Sequence, residues 1–295
     1  MCRHLAYLGP PVALSELVLD PPHGLYRQSW VPRRQAHGTV NADGFGIGWY
    51  PPDTLGGDSP SSGTPGGDND DYAPARYRRT VPIWADPNLP DLARTLRSRA
   101  VLAAVRDATP GNGADEAANA PFSRGRWLFS HNGVVQDWQR LTEDSGTLLP
   151  ASALLGLEAH SDSALLWELV HNRLAAGEPP GGALAAITRL AAAVRPQARL
   201  NLLLTDGRSI TATRWGDSLW YRTAPGQVVV ASEPWDDPGA PWHGPDDPTS
   251  ADATSGGGWQ EVPEHSLLLA TATRVRSTPL SPVAPRPVAE RMAFP

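Results

Sequence analysis

Met1-Cys2-Arg3-His4-Leu5-Ala6-Tyr7-Leu8-Gly9 opens the chain and holds the only cysteine among its 295 residues. Methionine aminopeptidases remove Met1 ahead of a small side chain, and Cys2 is small. The mature chain would then begin with a thiol and a free α-amino group on one residue. The α-amino pKa is about 7.7–8.0 and a free thiol titrates at about 8.5. Near neutral pH the amine is therefore partly unprotonated and can take the thiol proton, directly or through a water. The pairing parallels the threonine nucleophile activated by its own N-terminal amine. Position alone also allows a chance cysteine where any small residue would serve. Cys2–Leu8 is short and apolar with His and Tyr interleaved, which predicts a buried strand.

Beyond this strand the chain alternates short elements with two acidic stretches. Ala13–Leu19 is expected as a short helix capped by Ser15 and stopped by Pro21-Pro22. Gly44–Tyr50 alternates Gly with Phe, Ile and Trp, as strands do where another element or a ligand approaches the backbone. Ala75–Trp84 is read as one or two strands, Leu92–Leu96 as helical, and Ala100–Ala108 and Trp127–Ser130 as strands. Ser163–Ala176 and Ala183–Val194 are the clearest helices, parted by Gly177–Gly182. Then come the strands Leu200–Thr205, Ser209–Arg214, Leu219–Arg222, Gln227–Ala231 and Ser266–Thr271, with Thr205-Asp206-Gly207-Arg208 as a hairpin turn. Strands, then helices, then strands predict one α+β domain with antiparallel sheets. It should span 2–278, with flexible insertions at about 52–72 and 236–258 and a Pro-rich tail over 279–295.

Composition narrows the function classes. Hydrophobic residues make up 40% and charged residues 19%, as in soluble globular proteins. The opening apolar stretch is too short for a signal-peptide core, and no run of about 18 apolar residues suggests a membrane span. A cytoplasmic protein is expected. One cysteine excludes an intrachain disulfide framework, and the eight His are dispersed, so no metal site is expected. There is no Lys; all 25 basic residues are Arg, a mark of codon bias rather than of nucleic-acid binding. Eleven acidic residues and no Arg lie in Pro52–Tyr72 and Glu233–Asp252, so the net charge of −6 does not describe the folded surface.

Three further segments carry chemistry. Ser130-His131-Asn132-Gly133 follows an apolar strand. The Asn132 amide and the Gly133 N–H can serve as the two donors that an acyl-transfer oxyanion needs; a plain Asn-Gly turn is the alternative. Arg106 ends a strand in Val105-Arg106-Asp107-Ala108-Thr109-Pro110-Gly111. It can grip a carboxylate through two parallel hydrogen bonds, or form a surface ion pair. Asp162, in His160-Ser161-Asp162-Ser163, opens a helix. It either caps that helix or, with a flanking Ser as the cap, pairs with an ammonium group.

Cys2, Arg106, His131-Asn132-Gly133 and Ser161-Asp162-Ser163 occur in an order and spacing that resemble the class II glutamine amidotransferases, members of the N-terminal nucleophile hydrolases. Asn41-Ala42-Asp43-Gly44-Phe45-Gly46 resembles the Asp-Gly-x-Gly strand of that family, and Ala231-Ser232-Glu233-Pro234 matches more loosely. The resemblance implies a four-layer αββα sandwich. It also implies Cys2 as nucleophile and Asn132 with Gly133 as oxyanion hole. Arg106 would hold the substrate α-carboxylate and Asp162 the α-amino group, with His131 beside the substrate orienting its neighbours. No cofactor is implied, and the partner is a small-molecule γ-glutamyl substrate rather than nucleic acid or membrane. Met1–Gly9, Asn41–Tyr50 and Trp127–Val135 look most like the amidohydrolase branch that serves ergothioneine biosynthesis. Many relatives carry a His before the Pro-Phe pair that precedes the oxyanion segment. Here Ala120 stands in Asn119-Ala120-Pro121-Phe122, which speaks against ordinary glutaminase action and fits a bulkier leaving group. Trp30, Trp49 or Trp235 are candidates for lining that part of the pocket. The rival expectations are a glutaminase-type subunit feeding a separate synthase, a γ-glutamyl peptide hydrolase, and a non-catalytic γ-glutamyl-binding module.

Overall fold

The computed structural model describes residues 2–36, 38, 40–51, 73–108, 115–236 and 257–281. The expected insertion at 52–72 lies outside them, as do most of the expected insertion at 236–258 and most of the tail.

Strand β1 (Arg3–Ala13) forms because Leu5 and Tyr7 alternate with Ala6 and Leu8, and both faces are buried. The first sheet has seven strands and β1 is the fourth. On one side lie β4 (Arg97–Val105), β2 (Phe45–Trp49) and β3 (Ala75–Arg79). On the other lie β10 (Gln227–Ala231), β9 (Trp220–Ala224) and β11 (Gln260–Glu261). The second sheet runs β13 (Arg274–Pro279), β12 (Ser266–Thr271), β8 (Ile210–Arg214), β7 (Arg199–Thr205), β6 (Trp127–Val134), β5 (Phe122–Arg124). Every pairing among the described strands is antiparallel.

The two sheets stack through Ala6, Leu8, Leu102, Val228 and Val230 on one side and Leu128, Leu203, Ala212 and Leu268 on the other. Outside the first sheet, Leu5, Phe45, Ile47 and Val101 pack under α1 (Leu14–Val18), α2 (Leu25–Gln28) and α3 (Leu89–Thr95). Outside the second, α4 (Leu141–Ser145) and α5 (Ala151–Leu155) precede the two long helices α6 (Asp162–Ala175) and α7 (Pro180–Val194). Leu165, Leu169, Leu184 and Ile187 of those helices bury against Phe129, Leu202 and Leu204. Each such side chain contributes about 1.5–3 kcal/mol. The result is the expected α+β sandwich of four layers, αββα.

Several local expectations are corrected. Ser15 lies inside α1 and does not cap it; the N-cap position is Ala13, whose N–H donates to Glu16 Oε1 at 2.8 Å. The second half of Ala75–Trp84 is a 3-10 turn over Ile83–Ala85, because Pro82 fixes the chain at its start. His131-Asn132-Gly133 is not a turn: β6 runs through it, with Asn132 opposite Asn201 and Gly133 opposite Leu200 on β7. The fold also continues past residue 278. Pro279 ends β13, and Leu280 is buried in the core under α7.

Candidate active site

One narrow cleft opens between the layers where β1, β4, β6 and α6 meet. Cys2, Arg106, Asp107, Ala120, His131, Gly133 and Asp162 line it, with Ser161 and Ser163 at the helix end. The structure thus brings together residues that the sequence separates by up to 160 positions.

Two short segments build the first wall. In the antiparallel register Arg3 faces Val105, so Cys2 stands beside Arg106. The Arg106 backbone is held at both ends: its N–H donates to Gly44 O at 2.8 Å and its carbonyl accepts from Asp43 N at 3.0 Å. Asp43 Oδ2 accepts from Ala108 N at 2.7 Å, which fixes the residues just beyond. Asp43 and Gly44 belong to the Asp-Gly-x-Gly segment. A Cβ on Gly46 would come within 2.2 Å of Ala120 O, so the close approach marked by the glycines is that of the 118–122 wall. Residues 109–114, including the glycines beyond Arg106, lie outside the described residues.

The thiol itself is partly buried. Burial pushes its pKa above the ordinary thiol range, while the Asp107 backbone N–H and the Arg106 guanidinium pull the other way without cancelling that effect. A thiol so placed is protonated near neutral pH and needs a base. Asp107 contributes through its backbone, which no side-chain pattern reveals.

The second wall comes from β6 and α6. Strand alternation sends His131 and Gly133 toward the helices and Ser130 and Asn132 into the space between the sheets. Gly133 has φ 155°, and a Cβ there would sit 1.9 Å from Arg199 O, so no side chain fits. His131 contacts Arg199 O through Nε2 at 2.9 Å and Ser163 Oγ through Nδ1 at 3.0 Å. Because a carbonyl only accepts, Nε2 carries a proton toward Arg199 O. His131 is therefore tied to protein at both nitrogens and holds β6 against α6. Asn132 is fully buried behind the cleft lining, and neither its Nδ2 nor its Oδ1 has a hydrogen-bond partner among the described residues. Buried amides are normally satisfied, so this unspent donor marks the position.

Ser161 is the cap of α6, accepting from Ala164 N at 3.2 Å. Asp162 is then released from capping with that geometry. Its Oδ2 accepts from Val135 N at 3.0 Å and its Oδ1 from Ser163 N at 2.8 Å. Its carboxylate stays in the cleft wall, 4% exposed.

Behind Cys2 lies a buried polar layer. His4 Nδ1 meets Ser130 Oγ at 3.1 Å, bridging the two sheets. Burial, with the charges of His131 and Arg3, lowers its pKa to about 3, so the ring is neutral. The Ala231-Ser232-Glu233 segment locks the start of β1. Ser232 N donates to His4 O at 2.9 Å and His4 N to Ser232 Oγ at 3.0 Å. Burial alone would raise the Glu233 pKa, but the His23 hydrogen bond and the Arg3 charge hold it below the usual carboxylate value.

Residues 24–233 match the family model described as glutamine amidotransferases class-II. The chain belongs to the class II glutamine amidotransferases. It is 39% identical over 280 residues to the γ-glutamyl-hercynylcysteine sulfoxide hydrolase of Mycolicibacterium smegmatis, covering 95% of this chain and 100% of that one. It is 38% identical to the protein of the same name from Mycobacterium tuberculosis, covering 95% of this chain and 97% of that one. Among solved structures, a glutamine aminotransferase class-II domain protein from Silicibacter pomeroyi superposes with a TM-score of 0.59 at 22% identity, covering 95% of this chain and 100% of that one. That likeness bears on the fold, which is the N-terminal nucleophile hydrolase sandwich of this amidotransferase family.

None of the three tryptophans considered for the leaving-group pocket lines the described cleft. Trp235 is buried edge-on against Trp259, with centroids 5.1 Å apart. Trp30 is taken up by Tyr26 and Trp84, at 4.9 and 5.4 Å. Trp49 packs into the core under the outer helices. Their aromatic faces are used in packing, a demand that sequence patterning could not separate from ligand binding.

Proposed function

We propose that this amidotransferase-family protein is a hydrolase of γ-glutamyl-hercynylcysteine sulfoxide, releasing glutamate and hercynylcysteine sulfoxide in ergothioneine biosynthesis. The convergence of Cys2, Arg106, Gly133 and Asp162 on one cleft carries the reading, and the end-to-end identity with the mycobacterial hydrolases supports the substrate. The reacting unit in this reading is the single domain from Cys2 through β13 and the buried Leu280.

In this mechanism Met1 is removed and the Cys2 α-amine takes the thiol proton. That step matters because the buried thiol does not ionise readily by itself. The sulfur attacks the γ-carbonyl carbon. Asn132 Nδ2 and the Gly133 N–H receive the oxyanion. Arg106 pairs with the α-carboxylate and Asp162 with the α-ammonium, which fixes the γ-carbonyl over the sulfur. His131 keeps β6 and α6 in register. The amine passes its proton to the leaving nitrogen as the C–N bond breaks, leaving a glutamyl thioester on Cys2. Water, deprotonated by the same amine, attacks the thioester carbon and releases glutamate and the thiol. Ala120, with its single methyl in the cleft wall, leaves room for a leaving group larger than ammonia.

The test is a substrate panel with the Met1-processed protein. Glutamate release from γ-glutamyl-hercynylcysteine sulfoxide, with little ammonia from glutamine, is the expected result. Efficient ammonia release would instead make it a glutaminase-type subunit. A protein with residues still attached ahead of Cys2 should fold and be inactive; full turnover by it would remove the α-amine from the mechanism.

A further inference from the structure

The two groups assigned to the substrate head stand on different layers: Arg106 at the end of β4, Asp162 at the start of α6. The gap between those layers therefore sets whether both can reach one α-carbon. At this end of the sandwich the gap is spanned by a cluster of charges that the reaction does not use. Arg76 and Arg78 lie two apart on edge strand β3 of the first sheet and so point to the same face. Both reach a single oxygen, Glu158 Oε1, at 2.9 and 2.7 Å. Glu158 lies four residues ahead of Asp162, on the segment that leads into α6. The same two guanidinium groups donate to the cleft wall: Arg76 to Pro121 O at 3.1 Å, Arg78 to Ala117 O at 3.3 Å and to Asn119 O at 3.4 Å. Asn119 Nδ2 returns a bond to Arg79 O at 3.0 Å. The side chains are 16–26% exposed, which spares these pairs the full screening of surface ion pairs.

We infer that Arg76, Arg78 and Glu158 form a brace that fixes the width of the cleft, and so determine specificity for a head group carrying both an α-carboxylate and an α-ammonium. The inference rests on the assignment of Arg106 and Asp162 to those two charges. The three residues touch no substrate; they are positioning residues. Loosening the brace lets Asp162 drift from its place opposite Arg106, so the loss falls on ligands that need both ends gripped. A ligand lacking the amine uses Arg106 alone and is indifferent to the gap.

The experiment measures binding by calorimetry in the Cys2→Ala protein, where no turnover interferes. The probes are L-glutamic acid γ-methylamide and its counterpart without the α-amine. Adding Glu158→Gln should weaken the first by about fivefold, or about 1 kcal/mol at 1.4 kcal/mol per decade, and leave the second unchanged. Arg78→Gln should do the same, and combining the two should add little, since each breaks one unit. Equal weakening of both probes, or no change in either, overturns the brace, and the unchanged binding of the parent Cys2→Ala protein shows that the head assignment survives. If that parent does not prefer the amine-bearing probe, the head assignment itself fails and the brace falls with it.

Discussion

The two walls of the cleft are built on opposite plans. On the β1–β4 side the backbone does much of the positioning: Arg106 is pinned by Gly44 and Asp43 through main-chain bonds. On the β6–α6 side the side chains do it. Asp162 holds Val135 N, His131 holds Arg199 O, and the missing side chain of Gly133 admits that carbonyl. In the first wall, Cys2 can be changed without touching the main-chain bonds that hold Arg106. In the second, Asp162, His131 and Gly133 line the cleft and also hold the wall up, whereas the Asn132 side chain behind them makes no such bond among the described residues.

That contrast predicts its largest effect at the two residues nearest the chemistry. Cys2→Ala should abolish turnover and leave the melting temperature and substrate binding near those of the parent. Gly133→Ala should abolish turnover as well, but at a cost of at least about 3 kcal/mol in stability, from the clash with Arg199 O and the strained φ. Denaturant melts of the two proteins check this. A Gly133→Ala protein as stable as the parent would break the distinction between the walls.

Asn132→Ala comes next. Its side chain makes no hydrogen bond among the described residues, so kcat should fall by about 10²–10³ with stability nearly unchanged. Near-parental kcat would move the oxyanion hole elsewhere.

A smaller effect is expected at the head-group pair. Asp162→Asn and Arg106→Met should each lower kcat/KM by about 10- to 100-fold, the range of about 1.5–3 kcal/mol for a hydrogen bond to a charged group. Asp162→Asn should also lower the melting temperature, through its weaker bond from Val135 N. Its catalytic loss should shrink for substrates without an α-amine. A stability loss alone, with kinetics intact, would make Asp162 purely structural.

The smallest effect concerns the layer behind both walls. The His4 pKa falls from 6.5 to about 3 on folding, so the unfolded state binds the extra proton. His4 therefore contributes stability that is full above pH about 6.5 and drains away as pH falls toward about 3. His4→Gln should flatten the acid limb of the stability curve in that window, read by urea melts at a series of pH values. An unchanged limb would mean that His4 is protonated in the folded protein.

The first wall was the more legible in sequence for the same reason that it is the more separable. Cys2, Arg106 and the Asp-Gly-x-Gly segment stand where local pattern puts them, at strand ends. The helices Ser163–Ala176 and Ala183–Val194 were legible too, since apolar spacing is a local signal, as were the five strands from Leu200 to Thr271. The second wall was misjudged in detail. Asn132-Gly133 carries a turn signature, yet β7 and the Arg199 carbonyl hold it extended, a tertiary demand no local pattern records. The roles of Ser163, Arg199 and the Asp107 backbone arise only when separated segments meet. The short strands Phe122–Arg124, Gln260–Glu261 and Arg274–Pro279 were missed because an edge strand needs only a neighbour's hydrogen bonds and no apolar alternation.

The register of β1 has a consequence for how the protein is made. Leu5 pairs with Ala231 and Leu8 with Val228, so the first strand to leave the ribosome is completed by one that emerges more than 200 residues later. Pairings this distant in sequence form late and slowly. The nascent chain therefore carries the Cys2 thiol outside a finished sheet until most of the polypeptide has been synthesised, the interval in which the proposed removal of Met1 can take place. In the proposed mechanism, processing and folding thus act on the same end of the chain, and a protein made without early removal of Met1 lacks the Cys2 amine that the reaction needs.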